Sequence, residues 1–340
     1  NTTTTTTNST TYNDQLINVC RPMLAMPIKT CNFEEKLGNC DNWIIEEKYD
    51  GERLLVIYNT KTSPQYKYSR FLKNITQVTK FQHSINVKSD NWYNCVFDGE
   101  LVYRNVNTHK IVSMCETGNR MINLYSTYII FDIQYCNGED VRGKPLILRK
   151  ELLNSIVQET QYVQLSKWHI MNDWSLVMKK FYALCDCGGE GLMLKRKDEA
   201  YLVNKRKWIK VKSLHIEGLQ QEYELFVHKM LKDKNGIYNI LLCGFYENFK
   251  DDNSFVKVCS VSSGINGFSR NILQQLINSQ GYFRERQVVT ILADKKTIYG
   301  HLRHPIYNRL RFDFNDIAAK INSKILNDYR KTQNLSLKMK

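Results

Sequence analysis

Apolar residues occur in short runs along the chain, separated by polar segments, in a pattern typical of mixed α+β proteins. Between residues 21 and 212, runs rich in Val, Ile, Leu and aromatic residues predict strands, and two longer stretches predict helices. We predict strands at residues 43–45, 54–58, 95–97, 101–103, 128–133, 192–195 and 208–211, and helices at residues 148–160 and 174–184. Asp50-Gly51 and Asp98-Gly99 each stand between two of these strands, where an Asp-Gly pair indicates a tight turn.

The pattern changes after Lys212, where shorter strands alternate with turns rich in Gly, Asn and Asp. These strands are predicted at residues 224–229, 237–244, 255–261, 287–292 and 310–314, with one helix at residues 269–277. Five short strands and a helix predict a small Greek-key barrel of the oligonucleotide-binding type. We therefore predict two domains, residues 21–212 and 213–325, between a leader at residues 1–20 and a basic tail at residues 326–340. The Asn- and Thr-rich leader is expected to be disordered.

The chain is strongly basic, with 48 Lys and Arg residues against 34 Asp and Glu residues and a formal net charge of +14. Such an excess favours a polyanionic partner, because basic side chains that contact phosphates release condensed counterions. We expect no membrane partner, since no apolar run is long enough to span a bilayer. The ten cysteines include no Cys-x-x-Cys pair, which favours reduced thiols in an intracellular protein.

Four short segments carry residues suited to phosphate chemistry. They are residues 46–53 (Glu-Glu-Lys-Tyr-Asp-Gly-Glu-Arg), 97–100 (Phe-Asp-Gly-Glu), 190–195 (Glu-Gly-Leu-Met-Leu-Lys) and 208–212 (Trp-Ile-Lys-Val-Lys). In the last segment, alternation places Lys210 and Lys212 on one face of a strand, where both can meet the same phosphate. Each segment alone also fits an ordinary solvated turn or strand end. Together and in this order, they form a set that chance rarely supplies.

Residues 48–53, Lys-Tyr-Asp-Gly-Glu-Arg, resemble the K-x-D-G-x-R signature of the covalent nucleotidyltransferase superfamily, which contains DNA ligases, RNA ligases and mRNA capping enzymes. Residues 22–25, 68–70, 131–133 and 303–313 resemble further motifs of ATP-dependent DNA ligases. The likeness is closest to the eukaryotic ligase III type and the related ligases of large DNA viruses. It implies a nucleotidyltransferase (adenylation) domain of antiparallel sheets and helices, followed by an OB-fold β-barrel domain.

The resemblance implies an ATP-dependent DNA ligase that seals nicks between a 5′-phosphate and a 3′-hydroxyl in duplex DNA. Lys48 would be the catalytic nucleophile, because a lysine amine can attack the α-phosphate of ATP and hold AMP as a phosphoramidate. A free lysine, with a pKa of about 10.4, is almost wholly protonated at pH 7. Nearby cations and partial burial would disfavour that charged form. AMP would then pass to the 5′-phosphate of the nick and be displaced by the 3′-hydroxyl.

The other family positions fall on residues that would hold ATP and its metal. The resemblance places nucleotide contacts at Glu46, Arg53, Arg70, Glu100, Phe131, Arg206, Lys210, Lys212, Arg309 and Arg311. Phe131 would stack on adenine, and Lys210 and Lys212 would neutralise the α-phosphate. Glu100 and Glu190 would bind Mg²⁺, or Mn²⁺ in its place, because a few carboxylate and phosphate oxygens satisfy such hard cations.

The sequence departs from the family pattern in its last motif and at its beginning. Phe314 follows Asp313 where the family usually has lysine, and Ile306 stands where close relatives often have arginine. Both changes remove positive charge from the motif whose Arg309 and Arg311 would reach the pyrophosphate. Ligases of this type usually carry a helical DNA-binding domain before the core, so we expect either a compact enzyme or a DNA-binding domain missing from this chain.

Three other functions stay open from the sequence. An mRNA capping guanylyltransferase would use the same lysine and barrel with GTP, and an RNA ligase would join RNA. An inactive nucleic-acid-binding protein would keep the fold without the chemistry, but the joint presence of Lys48, Glu100, Glu190, Lys210 and Lys212 disfavours it. For the ligase, we expect a monomer located in the nucleus or at a viral replication site.

Overall fold

The computed structural model describes residues 13, 15–112, 123–216, 221–248, 250–294 and 301–311. The chain separates into two compact units, the first ending at His215 and the second beginning at Ile216. Among the described residues, no helix combines the length and the apolar character needed to cross a bilayer.

The first unit is built mainly of strands. It contains β1 Leu24–Pro27, β2 Trp43–Glu47, β3 Glu52–Tyr58, β4 Tyr66–Ser69, β5 Asn86–Val87, β6 Cys95–Asn105, β7 Ile111–Val112, β8 Leu124–Cys136, β9 Glu139–Asp140, β10 Val157–Gln158, β11 Val163–Leu165, β12 Trp168–Ile170, β13 Leu192–Arg196 and β14 Arg206–Val211. The helices α1 Phe33–Leu37, α2 Leu146–Ile156 and α3 Trp174–Asp186 accompany them. The first unit therefore has the mixed α+β character that the sequence predicted.

Two large sheets form the first unit. One has five strands in the order β1-β14-β13-β2-β12, and the other has seven strands on the path β11-β8-β6-β3-β4, with β7 beside β6 and β9 beside β8. Alternate residues of β3 enter different cores, because Leu54 and Val56 pack on one face and Leu55 and Ile57 on the other. The seven-stranded sheet is thus covered on both faces at β3, which explains why this strand is almost continuously apolar.

The two Asp-Gly pairs do not form the turns that the sequence indicated. β2 and β3 lie in different sheets, so Asp50-Gly51 belongs to a crossover between sheets and not to a hairpin. Asp98-Gly99 lies inside the continuous strand β6. A Cβ on Gly51 would lie only 2.2 Å from the carbonyl oxygen of Leu101. The turn prediction was wrong because glycine also serves where two backbones pass close together.

Both helices predicted for the first unit are present. α3 begins after Asp173, whose side-chain oxygen accepts a hydrogen bond from the Ser175 amide at 2.7 Å, as an N-cap residue does. α2 spans Leu146–Ile156 and not residues 148–160. It ends at Ile156 because Val157 is extended and pairs with Val87 of β5.

The second unit is a small barrel. It contains β15 Gln221–Lys232, β16 Tyr238–Tyr246, β17 Phe255–Val261, β18 Tyr282–Ala293 and β19 Ile306–Arg311, with helix α4 Gly267–Gln275 between β17 and β18. The sheet order is β17-β16-β15-β18-β19, and a parallel bridge between Ser263 and Ile306 brings its two edges together. This is the Greek-key order of the oligonucleotide-binding barrel that the sequence predicted. Residues 312–314 of the predicted fifth strand lie outside the described residues.

An ion pair without solvent access joins α2 to β8. The Nε and Nη2 atoms of Arg149 lie 2.7 and 3.0 Å from the carboxylate oxygens of Asp132, and both side chains are at most 1% exposed. Burial alone would favour the neutral carboxyl, but the charge and hydrogen bonds of Arg149, together with the charges of Lys195 and Lys150, outweigh burial and lower the pKa of Asp132.

Replacement of Arg149 by Met should lower the free energy of unfolding of the first unit by about 3–5 kcal/mol, because Asp132 would keep a buried charge without a partner. Lys61 and Asp90 provide a matched surface pair, with both side chains 75% exposed. Lys61→Met should change the free energy of unfolding by about 1 kcal/mol or less. Urea unfolding followed by circular dichroism measures both effects, and equal losses in the two variants would contradict the role assigned to burial.

Candidate active site

Lys48 lies in the crossover between the two large sheets, directly after the end of β2 at Glu47. Its amide donates a hydrogen bond to the carbonyl oxygen of Gly191 at 2.8 Å. Gly191 has a φ of 143°, and a Cβ there would lie 2.1 Å from the carbonyl oxygen of Val211, so another residue would displace the backbone. The main chain of Lys48 is therefore fixed against the start of β13 and the end of β14.

A carboxylate lies between two lysines at the centre of the site. The Nζ of Lys48 donates to one oxygen of Glu190, and the Nζ of Lys212 lies 2.9 Å from the other oxygen. The side chain of Lys48 is 22% exposed, compared with 10% for Glu190 and 6% for Lys212. Among these three side chains, Lys48 is the one most accessible to a ligand.

Lys210 adds a further positive charge on β14. Burial lowers the pKa of Lys210, and the charges of Lys212, Lys48 and Arg206 lower it further, while Glu190 opposes the change. Three ammonium groups around one carboxylate leave an excess of positive charge. Such an excess favours the binding of phosphates.

Glu100 supplies a second carboxyl group beside this cluster. It lies on β6, opposite Arg53 of β3, and is half-buried. Burial raises the pKa of Glu100 to about 7, with Arg53 and Lys48 opposing the rise and Glu190 and Asp98 adding to it. A cation bound nearby would keep this carboxyl ionised.

The carboxylate oxygens of the site are suited to coordinate a divalent cation such as Mg²⁺. Glu100 and Glu190 lie close enough for the charge of Glu190 to affect the pKa of Glu100. Within the described part of the chain, no group of three or more His, Cys, Asp or Glu side chains is arranged to hold a metal. Mg²⁺ keeps several waters and binds through one or two carboxylates together with substrate phosphates. Two carboxylates are therefore sufficient.

Arg53 is held in place by Asp98. Its Nε and Nη2 atoms lie 2.5 and 2.6 Å from the two carboxylate oxygens of Asp98, and Tyr201 donates its hydroxyl to the same carboxylate at 2.5 Å. Burial disfavours the charged guanidinium, but attraction to Asp98 outweighs burial and raises the pKa of Arg53. The guanidinium carbon lies 4.6 Å from the centre of the Phe131 ring. Arg53 thus presents a fixed positive charge beside that ring.

Phe131 and Trp208 meet edge to face, with ring centres 5.7 Å apart. The Nζ of Lys195 lies 4.4 Å from the centre of the Phe131 ring and 4.3 Å from that of Trp208. Phe131 is only 8% exposed. Adenine could therefore stack on Phe131 only if a neighbouring side chain, such as Arg53 or Lys195, moved away from the ring.

Glu46, predicted to contact the nucleotide, is buried and paired with protein. Its carboxylate is 2% exposed and contacts the Nζ atoms of Lys150 and Lys195, which are also buried. Burial, opposed by Glu46 and reinforced by Lys150, lowers the pKa of Lys195 to about 8. No sequence pattern indicates this arrangement, because Lys150 is 104 positions from Glu46.

The other predicted site residues are arginines in less central positions. Arg70 follows β4 and is exposed, and the exposed Arg206 donates to a backbone carbonyl oxygen of β1 at 3.0 Å. Arg309 and Arg311 lie on β19 in the second unit. Asp313 lies outside the described residues. In the first unit, the predicted residues that the fold brings together are Lys48, Arg53, Glu100, Phe131, Glu190, Lys210 and Lys212.

The first unit assigns the chain to a protein family. Residues 22–212 match the family model described as the ATP dependent DNA ligase domain. The match covers more than half of the chain and contains all of the residues that form the cluster around Lys48. This chain therefore belongs to the ATP-dependent DNA ligase domain family.

Relatives named as DNA ligases are similar to most of the chain. The DNA ligase of Pyrobaculum arsenaticum is 29% identical over 263 residues, which are 72% of this chain and 43% of that protein. The DNA ligase of Fowlpox virus is 28% identical over 270 residues, 75% of this chain and 46% of that protein. The probable DNA ligase of Persephonella marina is 30% identical over 262 residues, 72% of this chain and 44% of that protein. The chain thus spans less than half the length of these relatives.

Solved structures share the fold. One, described as "DNA binding with a minimal scaffold: Structure-function analysis of Lig E DNA ligases", has a TM-score of 0.54 and 18% identity, and covers 85% of this chain and 99% of its own. Another, described as "Pmar-Lig_Pre.", has a TM-score of 0.55 and 17% identity, and the match covers 86% of this chain and 68% of that chain. At such identities the likeness concerns the fold alone. The predicted fold class is confirmed, while the likeness to the eukaryotic ligase III type stays a prediction.

The buried position of Lys195 predicts how stability depends on pH. Its pKa of about 8 in the folded chain is below the ordinary lysine value of about 10.4. Between these two values the unfolded chain binds more protons, so the stability of the fold rises with pH there and is independent of this group at lower pH. The variant Lys195→Met leaves Glu46 paired with Lys150 alone. Relative to this variant, the free energy of unfolding of the wild type should rise by roughly 3 kcal/mol as the pH increases across this window.

Urea unfolding of the wild type and of Lys195→Met at about pH 7.5 and about pH 10.5 measures this gain, because the window between the two pKa values lies within that range. The difference in the free energy of unfolding between the two proteins should change with pH, since groups distant from Lys195 titrate alike in both. A difference that is the same at both pH values would show that Lys195 does not have a lowered pKa.

Proposed function

We propose that this chain is the catalytic part of an ATP-dependent DNA ligase that seals nicks in duplex DNA through AMP bound to Lys48. Family membership supports the use of ATP. The observation that supports the chemistry most directly is the partly exposed Lys48 amine, which contacts Glu190 beside the buried Lys212. The DNA ligases among its relatives support nicked DNA as the substrate.

In the first step, the neutral amine of Lys48 attacks the α-phosphorus of ATP. The N–P bond forms and the bond to the pyrophosphate oxygen breaks, so that AMP is held as a phosphoramidate and pyrophosphate leaves. Lys48 must lose a proton before it attacks, and the positive charges of Lys210 and Lys212 lie beside it. The same two charges stabilise the negative charge that develops on the phosphate oxygens.

The residues around the lysine cluster would position the nucleotide. Asp98 fixes the guanidinium of Arg53, whose remaining N–H groups can donate to ribose or phosphate oxygens. The Glu100 carboxyl can accept a hydrogen bond from a ribose hydroxyl. Glu100 and Glu190 would hold Mg²⁺, which when bound neutralises phosphate charge as a Lewis acid. The arginines at Arg70 and Arg206 would add contacts to phosphate.

In the second step, the 5′-phosphate of the nick attacks the phosphorus of the bound AMP, and the Lys48 amine leaves. In the third step, the 3′-hydroxyl attacks the activated 5′-phosphate, a phosphodiester bond forms, and AMP leaves. Both steps are displacements at phosphorus, in which positioning and charge neutralisation supply most of the catalysis. A basic chain of net charge +14 would hold DNA mainly through its phosphates and without strong sequence preference.

The transfer of AMP to Lys48 predicts the outcome of a labelling experiment. The wild type, incubated with Mg²⁺ and ATP carrying a radioactive α-phosphate, should become covalently labelled, whereas Lys48→Ala should not, because the attacking amine is absent. Lys61→Ala, which removes a lysine with a 75% exposed side chain, should be labelled like the wild type. Nicked duplex DNA should then remove the label and yield sealed strands. Labelling of Lys48→Ala, or labelling of the wild type by GTP and not by ATP, would contradict the proposal.

The charge of the chain predicts a strong effect of salt on sealing. Between about 50 and about 300 mM salt, the rate at low DNA concentration should fall roughly tenfold or more, because the release of counterions on binding becomes less favourable as the salt concentration rises. The transfer of AMP from ATP to the protein, measured without DNA, is the control and should change far less. Sealing that barely changes over this range would show that phosphate contacts do not dominate the binding of DNA.

A further inference from the structure

The second unit carries a groove that the proposed ligase chemistry does not use. It has a volume of about 1150 Å³ and is lined by residues of β15 and β16, by the first residues of β17 and β18, and by residues between 250 and 253. Pockets for small ligands usually measure roughly 300–1,000 Å³. This groove therefore has room for a longer ligand.

Three aromatic side chains form one wall of the groove. The rings of His228 and Phe255 are stacked, with centres 4.4 Å apart and an angle of 13° between their planes. The ring of Tyr282 meets His228 edge to face at 5.3 Å. His228 and Phe255 are partly exposed, and Tyr282 is 37% exposed. The groove thus presents aromatic surface that the core of the barrel does not cover.

A β-bulge brings His228 to this wall. The pairing of β15 with both β16 and β18 shifts register between Val227 and Lys229. His228 is therefore the extra residue of the bulge, and its side chain departs from the regular alternation of the strand. Its Nδ1 lies 3.1 Å from the hydroxyl oxygen of Tyr246. Burial, which outweighs the opposing charge of Asp252, lowers the pKa of His228. The imidazole is therefore a neutral ring at neutral pH.

Positive charge surrounds the aromatic wall. The lining contains the basic residues Lys250, Lys257, Arg284 and Arg286 and the acidic residues Asp252 and Glu285. Arg286 pairs with Asp252 at 2.9 Å, and its guanidinium lies 3.5 Å from the centre of the Tyr246 ring. The other three basic side chains are exposed. They can therefore reach a ligand that carries negative charge.

We propose that this groove binds a single-stranded segment of nucleic acid. Unpaired bases would stack on the exposed parts of Phe255 and Tyr282, and phosphates would contact Lys257 and Arg284. Aromatic side chains in a basic groove suit single strands, because unpaired bases offer their faces for stacking whatever their sequence. Bases within a duplex are already stacked on one another, so a duplex would not use the aromatic wall.

Binding at the groove does not depend on the proposed ligase function. It is measured without ATP, from the fluorescence anisotropy of a labelled strand of oligodeoxythymidine mixed with the full chain. A second series with labelled oligouridine distinguishes DNA from RNA, since both carry the bases and phosphates that the groove would recognise. Binding of either strand at the groove supports the proposal.

Phe255→Leu and Tyr282→Leu remove an aromatic ring and keep an apolar side chain, so the barrel should stay folded. Each should weaken the binding of the single strand roughly 5- to 100-fold, as expected for the loss of one stacked base. Phe268→Leu is the matched control, because Phe268 is 76% exposed on α4 and does not line the groove. Its replacement should leave the Kd unchanged.

Lys257→Ala should weaken binding and reduce the slope of log K against log salt by about 0.7, as expected for one lost phosphate contact. Lys234→Ala, in the exposed turn between β15 and β16, should leave that slope unchanged. Tyr282→Leu should still accept AMP from ATP. The proposal is overturned if the Phe255 and Tyr282 variants bind single strands like the wild type, or if Phe268→Leu weakens binding equally. A wild type that binds single strands but never accepts AMP would overturn only the ligase function.

Discussion

The proposed chemistry depends on the contact between Lys48 and the two residues Glu190 and Gly191. The main-chain amide of Lys48 donates a hydrogen bond to the carbonyl oxygen of Gly191, and the side-chain Nζ of Lys48 donates one to the carboxylate of Glu190. One short segment of chain therefore holds both the main chain and the side chain of the nucleophile. Lys212 shares the same carboxylate, and the positive charge that remains makes the site a place for phosphate.

Helix α2 connects the surroundings of this site. Its consecutive residues Arg149 and Lys150 point in different directions, because each residue of an α-helix is rotated by about 100° from the last. Arg149 pairs with Asp132 of the seven-stranded sheet, and Lys150 pairs with Glu46 of the five-stranded sheet. Buried ion pairs add little net stability, but loss of one partner is costly. They therefore favour one arrangement of the two sheets, and Lys48 lies in the crossover between those sheets.

The sequence predicted many of the strands and both longer helices of the first unit, because runs of apolar residues are local in character. Runs of apolar residues marked the strands, and the order of four short motifs identified Lys48, Glu190 and Lys212, which the fold brings into contact. It failed where the outcome depended on which strands are neighbours. Asp98-Gly99 has the local form of a turn, yet the side chain of Asp98 serves inside a strand as the partner of Arg53.

Sequence patterns also predicted neither the buried charges nor the surface groove. Lys150 and Lys195 have no apolar signature, and their burial follows only from the position of Glu46 in a neighbouring strand. The stacking of His228 on Phe255 depends on a bulge, which leaves no mark in the alternation of residues. Such features depend on contacts between residues far apart in the chain.

The central claim is that one amine, that of Lys48, forms the bond to AMP. The most direct measurement is tandem mass spectrometry of the protein after incubation with ATP and Mg²⁺, with peptides kept at a pH that preserves phosphoramidates. We predict a single adenylyl group on the peptide that contains Lys48. An adenylyl group on another residue, or no modified peptide in protein that seals nicks, would contradict this account.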